Sequence, residues 1–342
     1  MGHSLRYEEL RWSCGESFWS GDVRKKQDQE NHRGKRRSWG RAKHLSTHSE
    51  SASSLTRKTA PRLGVFLEEL YRRYHRAEYL SSDPLEFVHR YRSPLEQEAV
   101  GLVCALLAYG NVKSIRASAG AVLEHLGPPG ELERSVRARR ALPREWKHRF
   151  NTAEDLDLLL GLLADTWQQH GSLGQRFAAL HSPGLGIEVA LNSLIAEWKL
   201  RARGVGGARE AFFHLLSAPE DGSCCKRWCM YLRWMVRKDA LDPGVWSGLG
   251  VSPRDLRIPL DTHTHRISQY LGLCSRKSPN WRSVLEVTER LAEFDPEDPV
   301  KYDFALARLG ILSLCQRRYR AEICEQCALR PACSFANRPQ SR

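Results

Sequence analysis

The 342-residue sequence lacks any run of about eighteen apolar residues, so it predicts no transmembrane helix. Its first residues, Met1 to Leu10, contain no apolar segment, and no secretory signal is expected. Alternation of apolar and polar residues is almost absent, and no repeat recurs at a fixed period. These absences disfavour a membrane-spanning protein, a secreted protein and a sheet-based fold.

The charge of the sequence is strongly positive. The chain contains 53 Lys and Arg against 40 Asp and Glu, a net charge of +13. Such a chain is attracted to polyanions, either nucleic acid or an anionic membrane. Residues 1–62 hold 14 Lys and Arg against 7 Asp and Glu, so they carry +7 of the surplus. We interpret them as a disordered basic arm, which is either a solvated extension, a nuclear or mitochondrial address, or a nucleic-acid tether.

Folded sequence is predicted over residues 63–335, followed by a tail at 336–342. Apolar residues recur at helical spacing and predict an all-α fold of about ten or more helices. The clearest predicted helices cover 63–74, 94–107, 112–126, 156–167, 187–198 and 210–216. Ser93 and Glu96 have the spacing of a capping box at the start of the second of these.

Four of the ten cysteines lie within nineteen residues near the carboxyl end. They are Cys315, Cys324, Cys327 and Cys333, in the pattern C-x8-C-x2-C-x5-C. A close cluster without a secretory signal indicates metal binding rather than disulfides. Four thiolates suit either tetrahedral zinc or a [4Fe–4S] cluster, and the spacing does not choose between them. Outside this cluster, Cys104, Cys229 and Cys274 lie in apolar helical patterns and are expected to pack.

The segment Asp261-Thr-His-Thr-His-Arg-Ile267 precedes an amphipathic run, so Asp261 is predicted to cap a helix. His263 and His265 offer another interpretation, a divalent-metal site of a hydrolase. Residues two apart share a face on a strand but point about 200° apart on a helix. The helical spacing after Arg266 favours the helix over the metal site.

Three segments together resemble the helix-hairpin-helix DNA glycosylases. The cysteine pattern is similar to the iron–sulfur loop that closes the endonuclease III type, whose first gap is two residues shorter. Asp261 to Ile267 is similar to the V-D-T-H-x-x-R-V signature, in which the aspartate is catalytic and also caps its helix. Gly222 to Arg227 resembles the L-P-G-V-G-R-K-T hairpin, with Gly222 at the turn and Lys226 at the lysine.

This resemblance spans residues 63–335 and fits a widespread, mainly bacterial family of uncharacterised glycosylase-like proteins. The family lies within the superfamily of endonuclease III and the 8-oxoguanine DNA glycosylases. It implies two α-helical lobes, a hairpin at about 211–236 and an iron–sulfur loop at 315–333. Lys226 would then be the nucleophile and Asp261 the catalytic carboxylate, with Lys238 competing for the nucleophile's role. The implied cofactor is a [4Fe–4S] cluster, with zinc as the alternative.

The function implied is base-excision repair of DNA. A glycosylase, with or without AP lyase activity, would extrude a damaged base from the duplex and release it. The expected partner is damaged double-stranded DNA, and we expect neither membrane binding nor a second subunit. The expected location is the cytoplasm or nucleoid of a bacterium, or the nucleus or mitochondrion of a eukaryote. Two alternatives stay open: a non-catalytic nucleic-acid-binding iron–sulfur protein and the metal-dependent hydrolase. The expected DNA contacts are Asn111, Gly222, Arg227, Arg317, Arg318 and Arg320.

Overall fold

A computed structural model describes residues 60–337 as a helical protein with one two-stranded antiparallel sheet. The predicted all-α class is confirmed. The helices of this region are α1 Ala60–Tyr74, α2 Leu85–Val88, α3 Pro94–Leu106, α4 Val112–Leu126, α5 Leu132–Arg137, α6 Ala153–His170, α7 Leu173–Leu180, α8 Glu188–Val205, α9 Glu210–Phe213, α10 Lys226–Val236, α11 Thr262–Tyr270, α12 Trp281–Ala292, α13 Asp303–Ile311 and α14 Ala321–Cys324. The strands are β1 Lys147–His148 and β2 Asn151–Thr152, and short 3-10 turns join several elements.

The predicted arm at 1–62 lies outside the described residues, apart from its last three, which begin α1. The predicted capping box at the start of α3 is wrong. The Ser93 side chain makes no capping bond, although Pro94 follows it as the first helical residue. Glu96 instead accepts a hydrogen bond from Gly130 N at 2.8 Å. Because the Glu96 carboxylate is buried against the loop after α4, it accepts its hydrogen bond from that loop. It is therefore not available to the backbone at the start of its own helix.

Helix α3 is the centre of the fold, and one buried carboxylate anchors it. Glu98 accepts hydrogen bonds from Trp167 Nε1 at 2.5 Å and from Trp246 Nε1 at 2.8 Å. The backbone N–H groups of Leu173 and Gly174 donate to the same carboxylate, each at 2.8 Å. Burial raises the pKa of Glu98, while these four donors stabilise its charged form. One side chain of α3 thereby holds α6, the start of α7 and the segment after α10.

A buried ion-pair network joins α10 to α13. Arg233 of α10 pairs with Asp242 at 3.1 Å and with Asp303, the first residue of α13. One turn later, Arg237 pairs with Asp242 and with Asp298, the latter at 2.9 Å. Both arginines and Asp242 are almost completely buried. Because each charge has an opposite partner, the network fixes where α13 begins relative to α10.

Helices α11 and α13 approach each other closely at a glycine. A Cβ atom on Gly310 would lie 2.8 Å from Cβ of His263, a separation that folded proteins do not tolerate. The missing side chain lets the first turn of α11 lie directly against α13. The starts of α10, α11 and α13 all lie at one cavity.

Candidate active site

A cavity of about 570 Å³ opens where three helices begin. Lys226 is the first residue of α10, Asp261 caps α11, and Asp303 is the first residue of α13. The remaining lining residues come from within the segments 82–84, 108–115, 259–264 and 303–311, together with His214, Arg227, Met230 and Arg233. The start of a helix carries a partial positive charge. Three helix starts at one cavity therefore favour an anion or a neutral amine inside it and disfavour a cation.

Asp261 caps α11 as the sequence predicts. Its Oδ1 accepts hydrogen bonds from His263 N at 2.8 Å and from Thr264 N at 2.7 Å. Asp261 lines the cavity, and its Oδ2 makes no hydrogen bond within residues 60–337. One oxygen therefore holds the helix start, while the other is available to a group inside the cavity.

Lys226 lies in the same cavity. Its Nζ donates to Ala108 O at 3.4 Å, and no carboxylate in the described part of the chain forms an ion pair with it. Burial lowers the pKa of Lys226, while the more distant charges of Asp261, Asp83 and Asp303 oppose that shift. A lowered pKa increases the neutral, nucleophilic fraction of the amine. The competing Lys238 is exposed and does not line the cavity, so the structure brings only Lys226 together with Asp261.

Asp303 is a third functional candidate, which sequence reasoning missed. It is 4% exposed, lines the cavity and pairs with Arg233. Burial raises the pKa of Asp303 to about 6; Arg233 opposes the rise, and the nearby charge of Asp261 adds to it. A carboxyl group that titrates near neutral pH can exchange a proton during a reaction. In the sequence, Asp303 is only a single aspartate at the start of an apolar helical segment. That pattern fits an ordinary helix start equally well.

An aromatic cluster lies beside the cavity, and sequence reasoning missed it as well; Tyr109 and His214 line the cavity, whereas Phe150 does not. Tyr109 stacks on Phe150, with ring centroids 5.2 Å apart and planes inclined by 27°. His214 meets both rings edge-on, at 5.4 Å from Tyr109 and 4.8 Å from Phe150. Arg227 lies over the ring of Tyr109 at 5.2 Å and donates to Leu106 O at 3.0 Å. Of these four residues, only Arg227 was predicted.

The other predicted DNA contacts are divided between the cavity and the surface. Asn111 lines the cavity, and its side chain caps α4 by accepting from Ser114 N at 2.8 Å. Gly222 has a φ of +73°, a left-handed turn that favours glycine, but it does not line the cavity. Arg317 and Arg318 are exposed, and Arg320 pairs with Glu322 at 2.6 Å.

The two histidines of the Asp-Thr-His-Thr-His segment point in different directions. His263 is exposed, and its Nδ1 lies 3.2 Å from Nη2 of Arg266. His265 is buried, and its Nε2 contacts Arg276 O at 3.1 Å. Because both residues belong to a helix, their rings diverge as helical geometry requires. The predicted alternative of a metal ion shared by these rings therefore finds no support in this geometry.

The four carboxy-terminal cysteines lie close to one another. Cys315, Cys324, Cys327 and Cys333 are free thiols that line one small apolar cavity. Burial, opposed by the charge of Arg266, raises the pKa of Cys315 to about 11. Within residues 60–337, no group of three or more His, Cys, Asp or Glu has the arrangement needed to hold a metal ion. The four thiols thus have the chemistry of a four-thiolate metal centre, but they do not have the arrangement of an assembled centre.

This cysteine segment packs behind the helices of the active-site cavity. Ser334 N donates to Tyr270 O at 2.8 Å, and Phe335 stacks on Tyr270 with centroids 4.7 Å apart. Arg266 Nη2 donates to Cys315 O at 3.3 Å. The segment therefore contacts the helix that Asp261 caps. Away from it, Cys104, Cys229 and Cys274 are buried, in agreement with their predicted packing role.

Comparison with known proteins places this chain in a family. Residues 83–312 match the family described as "Protein of unknown function (DUF2400)", and this match covers two thirds of the chain. The chain belongs to the DUF2400 family. The DUF2400 match includes Lys226, Asp261 and Asp303, and it ends three residues before Cys315. No curated protein and no solved structure matches the chain.

Proposed function

We propose that this DUF2400 protein is a DNA glycosylase that releases a damaged base. The observation that carries the proposal is the convergence of Lys226, Asp261 and Asp303 at three helix starts around one cavity. Its volume of about 570 Å³ falls within the range of small-molecule sites, about 300–1,000 Å³, and accommodates one extruded nucleotide. The partner is double-stranded DNA, and the surplus positive charge supports its binding.

Each of the three side chains has a distinct part in the proposed reaction. The neutral amine of Lys226 attacks C1′ of the extruded nucleotide, and a new N–C bond forms while the glycosidic bond breaks. The base leaves with the bonding electrons and takes a proton from water. Asp261 Oδ2 stabilises the positive charge that develops on the sugar. Asp303 accepts the proton that the amine loses, because its pKa lies near 6.

We also propose that the four clustered cysteines hold a [4Fe–4S] cluster, with zinc as the alternative. When bound, such a group would cross-link the segment that contacts α11. It would take no part in the reaction, which Lys226 and Asp261 would carry out. Protein purified without oxygen should contain about four irons per chain and absorb broadly in the visible range. Stoichiometric zinc from cells grown with ample iron would contradict the iron–sulfur assignment.

Borohydride trapping tests the proposed nucleophile. A Schiff base between Lys226 and the sugar is reduced to a stable covalent adduct on damaged duplex DNA. We expect the adduct with wild-type protein and with Lys238→Ala, the matched control, but not with Lys226→Ala. An adduct lost only in Lys238→Ala would move the nucleophile to that residue. Base release without any adduct would indicate a glycosylase that uses water instead, and neither product would favour a non-catalytic binding protein.

A further inference from the structure

An aromatic cluster beside the active-site cavity has features that the proposed reaction does not use. Tyr109 and His214 line the cavity, and Phe150 packs on both of them from outside it. Phe150 lies at the tip of the β1–β2 hairpin, and 44% of its surface is exposed. The preceding residue, Arg149, has a φ of +55°, a left-handed conformation that non-glycine residues adopt at some energetic expense.

The rings behind Phe150 are held rigidly. The Tyr109 hydroxyl donates to His148 O at 3.1 Å and to the side chain of Asn151. Asn151 is fully buried and donates in turn to Asp155 Oδ2 at 2.9 Å. Burial raises the pKa of Tyr109 to about 12, so its hydroxyl keeps the proton that it donates. The stacked pair is thus a fixed platform rather than a mobile side chain.

The charge around these rings is also distinctive. Burial and the charge of Arg227 together lower the pKa of His214 to about 4, so the imidazole is neutral at pH 7. Arg227 is the cation of the group, and within residues 60–337 it contacts the carbonyl oxygens of Leu106 and His214, the His214 ring and the face of Tyr109. No carboxylate within residues 60–337 forms an ion pair with it, which leaves its charge available to an anion.

We propose that Phe150, Tyr109, His214 and Arg227 form a binding site for an unpaired nucleotide. The base stacks against the aromatic rings, and the adjoining phosphate pairs with Arg227. The site rests on the proposed binding of DNA but not on catalysis. It extends the proposed function, because it predicts that the protein selects duplexes in which a base is already unpaired, before any reaction occurs.

A fluorescent base tests this site directly. The probe is a DNA duplex with one 2-aminopurine opposite a tetrahydrofuran abasic analogue, compared with the same duplex carrying a 2-aminopurine–thymine pair. Wild-type full-length protein should bind the unpaired probe about 5- to 150-fold more tightly, which corresponds to about 1–3 kcal/mol for one stacked base. Stacking should also quench the fluorescence of the unpaired probe.

The variants separate stacking from general affinity. Phe150→Ala should lose the preference and the quenching yet keep wild-type affinity for the paired duplex. Phe150→Trp should retain both, because an aromatic face remains at the tip of the hairpin. Leu200→Ala, which removes another exposed apolar side chain (71% exposed), is the matched control and should change nothing.

Two outcomes would overturn the nucleotide site in different ways. Equal affinity of the wild type for both duplexes, or an equal loss for both in Phe150→Ala, would refute the stacking site while DNA binding stands. Failure of the wild type to bind either duplex would refute the proposed function and this site together. Melting temperatures of all variants establish that each is folded.

Discussion

The dual role of Asp261 gives the sharpest substitution experiment. Its Oδ1 caps two N–H groups of α11, whereas its Oδ2 has no hydrogen bond within residues 60–337. Asp261→Asn keeps an acceptor oxygen for the cap and removes only the charge, at an expected loss of about 0.3–1 kcal/mol in unfolding free energy. Asp261→Ala also removes the acceptor, at an expected loss of about 0.5–2 kcal/mol.

The two variants should therefore differ in stability but agree in activity. For a domain of this size, about 1 kcal/mol lowers the melting temperature by about 2–4 °C. Asp261→Asn should melt close to the wild type, and Asp261→Ala several degrees lower. Both should release base about 10²–10³-fold more slowly, because the negative charge that faces the sugar is gone. Scanning calorimetry and single-turnover base release measure the two effects separately.

A simple result would refute this reasoning. If Asp261→Asn released base within about threefold of the wild-type rate, the carboxylate charge would contribute nothing to the transition state. Asp261 would then be a helix cap only, and the positive charge would have to be stabilised by another group in the cavity.

Three further predictions follow from the charged groups. Arg233→Met should lower the unfolding free energy by about 3 kcal/mol in urea denaturation, because it leaves Asp303 buried without its partner. The pKa of Asp303 is about 6 when folded and 3.8 ordinarily, so the folded state holds this proton more tightly. Its contribution to the unfolding free energy should fall as pH rises from about 4 to 6, and Asp303→Asn should remove that slope; an unchanged slope would contradict the assignment. Arg317→Ala and Arg318→Ala should each flatten the log–log salt dependence of DNA affinity by about 0.9, whereas the ion-paired Arg320 should contribute less.

Local signals in the sequence predicted much of the fold. Val112–Leu126 forms a helix with the predicted bounds, since its apolar period and terminal glycine are properties of that segment alone. The cap at Asp261 was also predicted, because its position before an amphipathic run limits the geometry of a short segment. The four cysteines line one cavity, whereas their role as metal ligands stays a prediction. The capping box at Ser93 failed because a distant loop took the Glu96 carboxylate.

The remainder of the site depends on contacts between distant segments. Asp303 lines the cavity where it pairs with Arg233 of α10, and a separate close approach at Gly310 holds α13 against α11. The contact of Phe150 with Tyr109 depends on a hairpin with two-residue strands, too short to show any alternation. Burial and opposite charges from three helices set the protonation of these groups, and such long-range terms have no local pattern in a single sequence.

Within residues 60–337, every helix is too short or too polar to cross a bilayer. The basic arm lies almost wholly outside the described residues. Its interpretation as a nuclear or mitochondrial address therefore stays a prediction.

Base release from a panel of lesion-bearing duplexes tests the central claim most directly. Oxidised, alkylated, deaminated and mismatched bases are each placed in the same duplex, and the free base is measured under single-turnover conditions. The account predicts that wild-type protein releases at least one base, that Lys238→Ala does so at the same rate, and that Lys226→Ala is slower by about 100-fold or more. No release from any duplex by protein that binds them, or an unchanged rate in Lys226→Ala, would contradict a glycosylase site built on Lys226.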